Sequence, residues 1–132
     1  MPKQERTGHI WVGWSKNEDI FYDFFKETYS EDLEFPLNKF IQSQGGVWYD
    51  YDWVERIFHP NDPKLEKFFS YMNALYISDA ETGRLKKMCE ATEIDNLNAS
   101  VVFFEDADVP DPQNIAEEKL RLNFLGEFKY AF

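Results

Sequence analysis

Aromatic rings are what this chain must first find room for. Thirteen Phe, seven Tyr and four Trp make up 18% of 132 residues, and each ring hides roughly 150–250 Å² when it is buried. A chain of this length is close to the commonest domain size. By the usual size scaling it buries about two-thirds of the surface that its unfolded form exposes. The rings therefore predict one packed domain over residues 1–132, with a core rich in Phe. They exclude a disordered acidic chain, although residues 1–7 are polar and expected to fray.

Charge is the second constraint. Twenty-five acids against 14 Lys and Arg leave a net charge of -11. The acids are unevenly spread: nine fall between Glu90 and Glu118 with no Lys or Arg among them. Such a surface repels nucleic acid and anionic membranes, whose phosphates need cations. It attracts basic proteins and speeds encounter with them. The single cysteine, Cys89, cannot close an intrachain disulfide and reads as a small buried hydrophobe. No stretch has the pattern of a signal peptide or the roughly 20 apolar residues of a membrane span, so the expected compartment is the cytoplasm.

Periodicity then assigns the elements. Gly8 to Trp14 is rich in β-branched and aromatic residues and predicts a first strand. Ser15 and Glu18 have the spacing of a capping box, opening a helix over about 16–28 with Ile20, Phe21, Phe24, Phe25 and Thr28 on one side and Asp19, Asp23, Lys26 and Glu27 on the other. A shorter helix is expected from Pro36 to Gln44, stopped by Gly45-Gly46. Trp53, Val54, Ile57 and Phe58 predict a helix over about 52–58. Asp62-Pro63 opens the next helix, with Leu65, Phe68, Phe69 and Met72 inward. Asn73–Ile77 could be a turn or a brief strand. Ser78 caps a helix to about Glu93, weakened by about 1 kcal/mol at Gly83. Ser100–Phe104 and about Lys119–Tyr130 are strands, and Gly126 suggests a bulge. The order predicts an α+β domain: a small, mainly antiparallel sheet of the N-terminal strand plus a C-terminal strand pair, covered by several helices. The last two strands are expected to pair as a hairpin across the acidic loop.

Catalytic and metal-binding patterns are not found. His9 and His59 stand far apart without metal-ligand spacing. There is no phosphate-binding loop, dinucleotide fingerprint or nucleophile elbow. The expectation is no catalytic residue, no metal and no cofactor. Asp50 and Asp52 lie among Trp48, Tyr49, Tyr51 and Trp53, so a sugar-cleaving carboxylate pair stays open beside helix capping. Glu105, Asp106 and Asp108 lack the spacing and glycine of a calcium loop and read as a solvated loop. What remains is a binding surface, since Tyr and Trp supply contact area and carboxylates pair with Lys or Arg. The candidate contact residues are Trp48, Tyr49, Asp50, Asp52 and Glu55 in one run, and Glu105, Asp106, Asp108 and Asp111 in another. The helix face of Asp19, Asp23 and Glu27 is a weaker third candidate.

Three patches carry a resemblance. His9-Ile10-Trp11-Val12-Gly13 with the acidic, aromatic helix after it, Trp48-Tyr49-Asp50-Tyr51-Asp52, and Phe124-Leu125-Gly126-Glu127-Phe128-Lys129-Tyr130 are similar to the bacterial family called immunity protein 22. They run almost from end to end of the chain. The resemblance implies a cytoplasmic protein encoded beside a polymorphic or contact-dependent toxin, which it neutralises by stoichiometric binding. The charge would suit a basic toxin such as a nuclease. Two other readings stay open: a small hydrolase using Asp50 and Asp52, and an acidic nucleic-acid mimic or adaptor. Trp11, Gly13, Trp48, Phe124 and Gly126 are as well suited to holding the fold as to touching a toxin.

Overall fold

The computed structural model describes residues 5–27, 38–44, 54–62, 64–104 and 111–131. Strand β1 (Glu5–Ser15) leads into helix α1 (Glu18–Asp23) and helix α2 (Lys39–Ser43). Strand β2 (Val54–Phe58) follows, then helices α3 (Glu66–Leu75) and α4 (Asp79–Ala91). Strands β3 (Ala99–Phe103), β4 (Ile115–Ala116) and β5 (Leu120–Ala131) end the chain. The strands form one five-stranded sheet in the order β2-β3-β1-β5-β4, and every pairing is antiparallel. The α+β class follows.

Strand β1 lies at the centre and is covered on both faces, which is why Ile10, Trp11 and Val12 are all fully buried where a half-exposed strand would alternate with polar residues. On one face Trp11, Val101, Phe103, Leu120 and Leu122 meet Phe21, Phe24 and Phe25 from α1 and its following turn, with Phe40 and Ile41 of α2. On the other, Ile10, Val12, Val102, Phe128 and Tyr130 meet Phe68, Phe69 and Met72 of α3, with Leu85 and Cys89 of α4. The rings interlock at edge-to-face and tilted angles, as in Trp11–Phe40 at 5.2 Å and 81° and Trp11–Phe124 at 4.8 Å and 51°. Such contacts add about 0.5–1.5 kcal/mol each beyond area burial.

A bulge lets β5 serve both cores. Ile10 pairs with Gly126 but Trp11 pairs with Phe124, so Leu125 is the extra residue. Side chains alternate faces along a strand, and one inserted residue reverses the alternation. Leu120 and Leu122 therefore enter the first core, whereas Leu125, Phe128 and Tyr130 enter the second. Gly126 takes φ 119° there, a backbone that a side chain makes costly. Gly13 is fixed differently: a Cβ on it would stand 1.7 Å from the Arg121 carbonyl oxygen.

Several expectations need correction. The segment over 54–58 is a strand, not a helix. Val54 and Phe58 pack into the first core and Ile57 against the second, the alternation of a strand, and β2 supplies the hydrogen-bonding partner that the edge of β3 requires. Strands β3 and β5 do not form a hairpin, because β1 pairs with both and lies between them. The first helix is shorter than expected. Its cap is Asn17, which accepts from the Ile20 N–H at 2.9 Å, because Ser15 is the last residue of β1 and its hydroxyl donates to the Asn17 carbonyl. Thr28, at that helix's expected end, lies outside the described residues, as do Pro36, Pro63 and the acidic loop over 105–110.

Two of the remaining helices begin later than expected, α2 at Lys39 rather than Pro36 and α3 at Glu66 rather than Pro63, although the expected caps at Asp62 and Ser78 are used. Asn38 caps α2 by accepting from the Ile41 N–H. Asp62 accepts from the Lys67 and Phe68 N–H groups at 3.0 and 3.2 Å, so it caps α3 from the preceding turn while Leu65 takes the left-handed position beside it. Asn73–Ile77 holds the last turn of α3 and a tight turn in which Tyr76 and Ile77 both donate to the Met72 carbonyl. Ser78 caps α4 as its hydroxyl accepts from the Glu81 N–H.

Candidate functional site

Seven of the nine candidate contact residues, Trp48, Tyr49, Asp50, Asp52, Glu105, Asp106 and Asp108, lie outside the described residues. Glu55 and Asp111 are described. The described ends of the two candidate runs stand next to each other. Gln44, before the first run, donates from Nε2 to the Gln113 carbonyl at 3.0 Å, and its Oε1 accepts from the Gln113 N–H at 2.6 Å. The Trp11 indole N–H donates to the same carbonyl at 3.0 Å. At the other end Val54 pairs with Phe103, one residue before Phe104, from which the acidic loop departs. Asp111 is exposed beside this anchor.

Glu55 sits on β2 opposite Val102, half-buried and on the side of the sheet that α3 covers. Its carboxylate accepts a hydrogen bond from the Tyr71 hydroxyl, and Tyr71 is in turn hydrogen-bonded to Tyr76. A phenol has one hydrogen to give, so with the Tyr71 hydrogen directed at Glu55, Tyr76 is the donor to Tyr71. The two rings meet edge to face at 6.2 Å. Burial raises the Glu55 pKa above the usual carboxylate range, and the Tyr71 hydrogen bond partly offsets this. Burial also pushes Tyr76 up to about 12, helped by Tyr71 and by the charge of Glu55. Tyr71 and Leu75 remain 42% and 46% exposed on the outside of α3. Sequence reading missed Tyr71, Leu75 and Tyr76. The available signal was that Tyr71 and Leu75 stand four apart and off the Phe68, Phe69, Met72 stripe.

The other candidates lie elsewhere in the fold. Asp19 and Asp23 are exposed on α1, where Tyr22 also surfaces and its hydroxyl donates to the Arg56 carbonyl at 3.4 Å. His9 is buried against Trp11 and Phe124, with Nε2 3.9 Å from Glu127. His59 packs on Phe68 at 5.4 Å and lies 3.3 Å from the Ser100 hydroxyl. Its burial lowers its pKa, against the opposing charge of Asp62. Burial, then Glu90, pushes Cys89 up to about 12, which keeps it a thiol. Among the described residues no group of three or more His, Cys, Asp or Glu could hold a metal ion. No helix among them is long and apolar enough to cross a membrane.

Fold and face together define an α+β domain whose sheet is packed between two helical layers and whose outer side presents tyrosines beside a carboxylate. A family model described as immunity protein 22 matches residues 9–131, nearly the whole chain. The protein belongs to that family, as the three sequence patches predicted. Neither the curated proteins nor the solved structures gave a match. Membership of an immunity family suggests a toxin as partner, and a protein that binds rather than catalyses.

Proposed function

We propose that this protein neutralises one cognate bacterial toxin by forming a one-to-one complex in the cytoplasm of the producing cell, occluding the toxin's working surface. The contact face is the acidic and aromatic run Trp48 to Glu55 together with the acidic loop Glu105 to Asp111. The observation that carries this reading is the pairing of their ends: Gln44 with Gln113, and Val54 with Phe103. The described residues that flank these two runs, about fifty residues apart in sequence, thus lie next to each other. The carboxylates of the two runs suit a basic toxin such as a nuclease.

Co-expression with the toxin encoded beside it is the test. Rescue of growth and a stable one-to-one complex on purification are expected, with affinity falling as salt rises. Charge reversal at Asp50 and Asp52, or at Asp106 and Asp108, is expected to weaken the complex without unfolding the protein. Absence of both rescue and complex would overturn the reading.

A further inference from the structure

We infer that the outer face of α3, together with Glu55 of β2, receives a lysine or arginine side chain of the toxin. This rests on the toxin-binding reading above and extends its surface to residues of α3. Three observations converge. Glu55 is half-buried beside two phenols, with the Tyr71 hydroxyl on its carboxylate. Among the described residues no cation stands within ion-pair distance of it, and a carboxylate that accepts one phenol hydrogen retains further acceptor sites. Among the described residues, Tyr71 and Leu75 are two of the three exposed large hydrophobics, the third being Tyr22 on α1.

The chemistry of this face selects the guest. A cation over a phenol ring is attracted by the ring's quadrupole, and its methylene stem can lie on Leu75 while the charged head reaches Glu55. An apolar guest would cover the carboxylate without pairing it, and an anionic guest would meet a protein of net charge -11. Lys67 lines the shallow hollow on the other side of Tyr71, with Ile57, His59 and Phe68. Its charge directs an incoming cation to the Leu75 and Tyr76 side.

The experiment uses the full chain and the neighbouring toxin domain carrying an inactivating substitution. Affinity is measured by calorimetry for the unaltered protein and for Tyr71→Ala, Leu75→Ser and Glu55→Gln, with Lys86→Ala on α4 as control. Amide exchange across α3 is followed in the complex. We expect Tyr71→Ala to weaken binding about 30-fold, the size of a contact hot spot. Glu55→Gln should weaken it about tenfold and flatten its salt dependence, and the α3 amides should gain protection. If the unaltered protein binds and all three variants bind equally well, with α3 unprotected, the inference falls and the immunity reading stands. Loss at Tyr71→Ala and Leu75→Ser with none at Glu55→Gln would overturn the cationic guest. No complex with the unaltered protein would overturn both. Tyr71 and Leu75 are exposed, so an unchanged far-ultraviolet spectrum separates lost contact from lost fold.

Discussion

The side-chain amide of Gln44 meets both backbone groups of Gln113, donating to the carbonyl at 3.0 Å and accepting from the N–H at 2.6 Å. One side chain thereby replaces a residue of a neighbouring strand and fixes the base of the acidic loop. Gln44 is buried, so removing it leaves the Gln113 N–H to find another partner, at about 1–3 kcal/mol at most, while the Gln113 carbonyl keeps the Trp11 indole N–H. Gln44→Ala is expected to lower the melting temperature and to speed amide exchange at Gln113. A Gln113 amide that exchanges no faster in the variant would contradict this role.

Glu55 carries a pH signature of its own. Its pKa is raised in the folded state, so between the unfolded and folded values the native protein holds more protons and stability falls as pH rises. Glu55→Gln removes this cost while keeping an acceptor for Tyr71. The variant should melt higher than the parent at pH 7, and the gap should close below pH 4.5, the ordinary value for this group. An equal gap at both pH values would show that the carboxylate is not penalised by burial.

His59 should act in the opposite direction. Its folded pKa lies below the ordinary 6.5, so the unfolded chain binds more protons between the two values. Its contribution to stability is complete above pH 6.5 and is lost as pH falls from there to the folded value. His59→Gln should flatten that part of the melting curve against pH, relative to the parent.

Two glycines give opposite outcomes for the same substitution. Gly83 lies in α4, and a Cβ added there would meet nothing within 4 Å, so Gly83→Ala is expected to stabilise by about 0.4–1 kcal/mol. Gly13→Ala would drive a methyl group into the Arg121 carbonyl and separate β1 from β5. It should prevent folding or cost several kcal/mol, well beyond the usual range of about 0.5–3 kcal/mol for single substitutions. Thermal melts of the pair decide both.

The free side of β5 is sealed by α4. Arg84 donates to the Glu127 carbonyl at 2.7 Å, and Glu81, itself paired with Arg84, accepts from the Lys129 N–H at 3.1 Å. Open strand edges invite pairing with other chains. Arg84→Ala combined with Glu81→Ala should therefore raise the tendency to self-associate in sedimentation, with little change in secondary structure. A double variant that self-associates no more than the parent would place the protection elsewhere.

What the sequence determined by itself was whatever depends on near neighbours. Ser78 caps α4, Phe68, Phe69 and Met72 form its neighbour's buried stripe, and Gly126 marks the bulge, because capping, helical period and backbone freedom are local properties. The family was legible too, since its patches are contiguous. The helix expected over about 52–58 was wrong because Val54, Ile57 and Phe58 suit either period, and the open edge of β3 makes 54–58 a strand. The hairpin expectation failed for a related reason: closeness in sequence favours pairing of β3 with β5, but only a central β1 can have both of its faces buried. Reversal of the apolar alternation in β5 likewise needed the register against Ile10 and Trp11. As for the contact face, acids and rings could be counted along the chain. Tyr71 beside Glu55, and Gln44 on Gln113, arise from packing between segments distant in sequence, and only the tertiary structure brings those together.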